Sequence, residues 1–208
     1  VACALLRALP RYSRRNHVVE KPVRAWLSSE TEALRAGAVT MLGRLSLPGK
    51  VWIAAQADAL KDSSPHVRIA AITTLADVPV SNEVRLAHLT GALEDNEPVV
   101  RRCAVEALGD MGSLAKDALP VLLASVQGPS PTVGYRNAVI ETFGKIGGDA
   151  DSAVPYLRGL LHDEMDDATC LQSLRALAAI GAKAKGAIPE ILALCEHRTI
   201  DRRRGALE

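Results

Sequence analysis

Val100-Arg-Arg-Cys-Ala-Val-Glu-Ala-Leu-Gly-Asp-Met-Gly112 decides the fold. It reads as one amphipathic helix that stops at glycine, and near-copies of it recur along the whole chain. Arg35 is followed by Ala38, Leu42 and Gly43, and Arg68 by Ala71, Leu75 and Ala76. Arg101 leads to Ala104, Leu108 and Gly109; Arg136 leads to Val139, Phe143 and Gly144. Cys170, Ser173, Leu177 and Ala178 continue the register, Arg203 and Ala206 carry it on, and Ala2, Leu5 and Leu9 extend it backward. Successive leading positions (35, 68, 101, 136, 170, 203) differ by 33, 33, 35, 34 and 33 residues. A fixed period of this length is the signature of stacked supersecondary units, each too small to bury its own apolar face.

Composition supports that reading. Apolar residues make up 48% of the 208 positions but aromatics only 3%, so the core is built from Ala, Leu, Val and Ile. Small, helix-favouring residues let helix axes approach closely. Twenty-five basic residues against 24 acidic leave a net charge of +1, without the basic excess that gripping a phosphate backbone requires. Nucleic acid is therefore not the expected partner. No apolar run reaches the length of a membrane span. Cys3, Cys103, Cys170 and Cys195 occupy small-residue helix positions and form no C-x-x-C pair, which fits reduced packing residues in a cytosolic setting. The chain opens at Val1 in mid-helix and closes in mid-repeat at Glu208, so it reads as a fragment of a larger protein.

Taken in order, residues 1–10 form a partial repeat and 11–21 a polar, basic connector. Complete repeats span 22–47, 50–79, 83–112, 117–147 and 152–181, and a partial one spans 186–208. Pro120, Pro155 and Pro189 stand where first helices open, a position that tolerates a missing N–H. Ser113, Asp149 and Asp151 upstream are candidate caps. Second helices close at glycine, as at Gly112 and Gly147-Gly148, where the left-handed region is open to the backbone. The expected fold is an all-α, right-handed α-α superhelix of stacked antiparallel helix pairs.

Neither the ankyrin Thr-Pro-Leu-His signature nor the tetratricopeptide pattern is present. The form Asp…Val-Arg-x-x-Ala-x-x-x-Leu-Gly-x-x-Gly, as in Asp95…Val100-Arg101-Ala104-Leu108-Gly109-Gly112, resembles the short HEAT-like repeat of the phycobilisome-lyase group and of many bacterial scaffold proteins. The resemblance covers nearly the whole chain. It implies a solenoid, and a ladder of Asp–Arg contacts between neighbouring repeats involving Asp62, Arg68, Asp95 and Arg101. Its functions range over lyases, adaptors and regulators, so a bilin lyase or tetrapyrrole chaperone is one implied activity. Deoxyhypusine hydroxylase, another HEAT-like protein, carries His-Glu directly after the leading slot. Here those positions read Ala36-Gly37, Ile69-Ala70, Arg102-Cys103, Asn137-Ala138 and Leu171-Gln172, which argues against that chemistry.

No catalytic motif emerges: there is no Walker loop, G-x-G-x-x-G, G-x-S-x-G or H-E-x-x-H. His162-Asp163 and Glu196-His197 share an edge of adjacent repeats, but polar turn residues are expected there in any case, and no metal or other cofactor is assigned. Arg202-Arg203-Arg204 reads as a solvated basic run. The informative surface is the ridge of the second helices. With positions +3 and +7 after the leading slot buried, +1, +5 and +9 face the inner, concave side. Arg102, Glu106, Asp110, Asn137, Glu141, Lys145 and Arg175 then form a ridge of mixed charge, the kind of surface a protein or peptide partner uses. The reading is of a non-catalytic scaffold.

Overall fold

The structure is a computed structural model that describes residues 16–44, 49–76, 78, 80–128, 131–161 and 166–195. Among them every regular element is helical. First and second helices alternate as α1 (Asn16–Trp26), α2 (Glu32–Arg44), α3 (Gly49–Ala59), α4 (Pro65–Thr74), α5 (Asn82–Ala92) and α6 (Pro98–Asp110). A 3-10 segment, Gly112–Ala118, leads into α7 (Leu119–Gln127) and α8 (Val133–Ile146). Two short 3-10 turns, Gly147–Asp149 and Asp151–Ala153, precede α9 (Val154–Gly159) and α10 (Asp167–Ile180). Gly181–Ala187 is again 3-10, and residues 188–195 are helical.

The packing forms two compact units, Val1–Ala107 and Leu108–Glu208. In the first, α2 packs on α4; in the second, α8 packs on α10, so in each of these two pairs a second helix leans on its successor one repeat later. The slots at +3 and +7 supply the core. Ala38, Leu42, Ala71, Leu75, Ala104, Leu108, Val139, Phe143, Ser173 and Leu177 are all buried. On the first helices Leu89, Leu122 and Leu157 are buried as well. The cysteines divide, with Cys170 buried, Cys103 half-buried and Cys195 exposed, so the last is not a packing residue.

Two local expectations are corrected. Residues 16–21 belong to α1 and not to a connector, and the helix runs through Pro22. Valines and aromatics at 19, 23 and 26 keep a helical spacing there, and Val23 is fully buried, so burial outweighs the missing N–H. Ser113, Asp149 and Asp151 do not cap the proline-opened helices. The N-cap positions are Ala118 and Ala153, without side-chain bonds, because a 3-10 lead-in already occupies the first N–H groups. Side-chain caps occur elsewhere: Ser81 accepts from Val84 N–H, Thr132 from Tyr135 N–H and Asp166 from Thr169 N–H.

Glycine serves two separate ends. Gly147 and Gly181 close α8 and α10 at φ 71° and 72°, their N–H groups donating to Phe143 and Leu177. Side chains with a Cβ rarely adopt that conformation. The glycine that follows the buried Leu or Phe at +7 instead lets adjacent second helices approach. A Cβ on Gly43 would lie 3.1 Å from Thr74 Cβ, on Gly109 2.9 Å from Thr142 Oγ1, and on Gly144 3.3 Å from the Ala176 backbone.

Candidate functional site

The recurring arginine slot holds neighbouring repeats together in the first unit. Arg35 donates through Nε and Nη2 to both carboxylate oxygens of Asp62, at 2.7 and 2.8 Å. Arg68 repeats the geometry on Asp95 at the same distances. Each pair spans 27 residues and crosses from one second helix to the turn of the next repeat. The six-residue pairs run through the backbone: Arg68 Nη1 donates to the Asp62 carbonyl, and Arg101 Nη1 to the Asp95 carbonyl, both at 2.7 Å. Twenty-seven residues after Arg101 the chain carries Gly128, which has no carboxylate to offer.

Electrostatics follow from this geometry. The bond from Arg35 holds the Asp62 carboxyl below the usual carboxylate range. Burial pushes Asp95 upward, but bonds from Arg68 and from Glu97 N–H outweigh it, and the net shift is again down. An unfolded aspartate titrates near ~3.9. A folded value below that means the stabilisation is present above the unfolded pKa and is lost as pH falls through the folded one. The difference in urea midpoint between the parent chain and Asp95→Asn should therefore be largest near neutrality. It should close as the pH is lowered from about 5 to about 2; a difference independent of pH would show that the charge on Asp95 is not what stabilises.

The ridge residues separate by unit. In the first, Arg102 and Glu106 are exposed and pair with each other at 2.8 Å, one helical turn apart. In the second, Lys145 stands between two carboxylates, 3.1 Å from Asp110 and 3.4 Å from Glu141. The bond to Asp110, then that to Glu141, raises the Lys145 pKa, so its charge is secure. Asn137 is half-buried, and its side-chain oxygen accepts from Thr169 Oγ1 at 2.9 Å, which engages it in the packing of α8 on α10. Arg175 is exposed on α10.

Between α8 and α10 lies an open groove of about 430 Å³ lined by Glu141, Gly144, Lys145, Gln172, Arg175, Ala176 and Ala179. Its floor is made of small residues, and its walls carry both signs of charge. Gln172 and the floor residue Gly144 were not legible as site residues. Gln172 falls at +2, off the ridge register, and the effect of Gly144 is the absence of a side chain.

His162, Asp163, Glu196, His197 and Arg202–Arg204 lie outside the described residues. Among those described, no group of three or more His, Cys, Asp or Glu is placed to hold a metal ion. None of the described helices is long and apolar enough to cross a membrane.

Helix pairs repeated at this period, with second helices stacked on one another, define a helical-repeat protein of the α-solenoid class. The chain belongs to the HEAT repeats, whose family model matches residues 20–102 and 53–133. Among solved structures it is similar to the complex of CpcE and CpcF of phycocyanin lyase from Nostoc sp. PCC7120, at 24% identity and TM-score 0.57. That match covers 78% of this chain and 65% of the other, so the chain spans about two thirds of its neighbour's length. It is also similar to an engineered protein, at 19% identity and TM-score 0.55, with 88% and 87% of the two chains covered. At these identities the likeness is one of fold. No curated protein matches the sequence significantly.

Proposed function

We propose that the chain is a non-catalytic scaffold that binds a protein or peptide partner on the ridge of its second helices. In the second unit the binding surface consists of Asp110, Glu141, Lys145, Gln172 and Arg175. The observation that carries the reading is the groove between α8 and α10, where a floor of Gly144, Ala176 and Ala179 admits a partner's side chain between charged walls. Open grooves with fixed charges of both signs favour a partner with a matching pattern and penalise mismatched ones.

The double variant Glu141→Lys/Arg175→Glu reverses the walls without touching the core. In affinity purification with the full chain, a partner retained by the parent should be lost at least about tenfold from the double variant. The urea midpoint should stay unchanged. Equal recovery on both would remove the ridge as the binding surface.

A second reading, a lyase or chaperone for a linear tetrapyrrole, is favoured by the name of the Nostoc neighbour. Mixing the chain with a bilin separates the two: the scaffold reading expects an unchanged visible spectrum, and the lyase reading a shifted one.

A further inference from the structure

The charges around the α8–α10 groove are not equally engaged. Lys145 already answers both Asp110 and Glu141, so an incoming cation would have to compete with it for those carboxylates. Arg175 and Gln172 line the same groove and have no ion-pair or hydrogen-bond partner among the described residues. Arg175 therefore offers a guanidinium that only donates and can bond a carboxylate bidentately, and Gln172 beside it offers a carboxamide whose N–H can join it, along with an oxygen that can accept from the same partner. One helical turn before Arg175, Leu171 is 48% exposed on the same flank of α10.

Building on the scaffold reading, we infer that this groove takes an acidic side chain of a peptide or protein partner. Its carboxylate pairs with Arg175 and Gln172, and an adjoining apolar residue rests on Leu171. The partner class is thus a segment in which Asp or Glu stands next to Leu, Ile or Phe. A free small carboxylate does not fit, because one exposed ion pair is worth about 0–1 kcal/mol and cannot hold it alone. Covering Leu171 adds the apolar burial that makes a peptide sufficient. A nucleic-acid strand does not fit either, since its phosphates would meet the Asp110 and Glu141 carboxylates that share the surface.

The test uses the full chain and an array of synthetic 12-residue peptides in which acidic, basic and apolar content is varied, with bound sequences titrated by fluorescence anisotropy. Peptides pairing Asp or Glu with a large apolar residue should bind. Arg175→Glu should weaken them at least about tenfold, and Leu171→Asp several-fold. Glu141→Gln should tighten them about two-fold by removing a like charge. All three positions are exposed, so each variant should keep its helix content, which circular dichroism checks. Binding of basic peptides instead, weakened by Glu141→Gln and indifferent to Arg175→Glu, overturns the acidic-segment inference while leaving the scaffold reading intact. Binding that responds to none of these changes, or no binding at all, removes both.

Discussion

Replacing Asp95 with alanine is expected to lower the unfolding free energy by about 2–3 kcal/mol, read from urea denaturation followed by circular dichroism. Two magnitudes bracket the effect. Exposed ion pairs contribute about 0–1 kcal/mol, whereas removing one member of a buried pair costs about 3–5 kcal/mol because the other charge is stranded. The side chains of Arg68 and Asp95 are each only 13% exposed, which places the pair near the second limit. Arg68 Nη1 keeps its bonds to the carbonyls of Asp62 and Ser63, so the stranded guanidinium is not left bare and the loss falls short of the maximum. Asp95 also accepts from Glu97 N–H at 2.8 Å, and that turn before α6 is loosened in the same step. Glu106→Ala breaks an exposed pair of the same chemistry and should cost no more than about 0.5 kcal/mol. Equal effects for the two substitutions would mean that the Arg–Asp seam adds nothing beyond an ordinary surface contact.

The seam also shows where sequence reading reaches and where it ends. The 33–35-residue period exposed the helix pairs, because each repeat must offer a small or β-branched residue (Ala, Val or Ser) at +3 and Leu or Phe at +7 to the same core. It also exposed the glycine stops at Gly112 and Gly147, both of which adopt positive φ. The arginine partners were harder. Asp62 and Arg68 stand six apart, and that spacing carries a backbone bond, while the carboxylate that meets Arg68 belongs to Asp95 in the following repeat. Arg35 is an equal member of the seam, and nothing local to residue 35 marks Asp62 as its partner. The helical residues 16–21 were hidden by their polarity, and the uncapped prolines by 3-10 lead-ins that leave no signature in side-chain chemistry. On the ridge, alternation by one helical turn gave the exposed positions Glu141, Lys145 and Arg175. It could not show that Asn137 is engaged by Thr169, or that Gly144 opens a groove, because both depend on how closely α8 approaches α10.

That closeness gives the second large effect. Gly144→Leu should destabilise the chain by about 3 kcal/mol, since overpacking a close helix contact costs about 1–3 kcal/mol or more and the obstacle here is backbone. The first added atom already lies 3.3 Å from Ala176 Cα, and the remaining three must displace α10 bodily. Helix propensity pulls the other way, because any residue with a Cβ gains about 1 kcal/mol over glycine inside a helix. For Gly144→Ala the two terms are comparable, so that variant should lie within about 1 kcal/mol of the parent. Gly37, inside α2, separates the terms cleanly. A Cβ there meets nothing within 4 Å, so Gly37→Ala should stabilise by about 0.5–1 kcal/mol. The pair is measured by urea denaturation under identical conditions. If Gly144→Leu and Gly37→Ala shift the midpoint in the same direction, helix propensity governs both sites. The glycine after the +7 residue would then be a helix-ending habit and not the contact that sets the spacing between second helices.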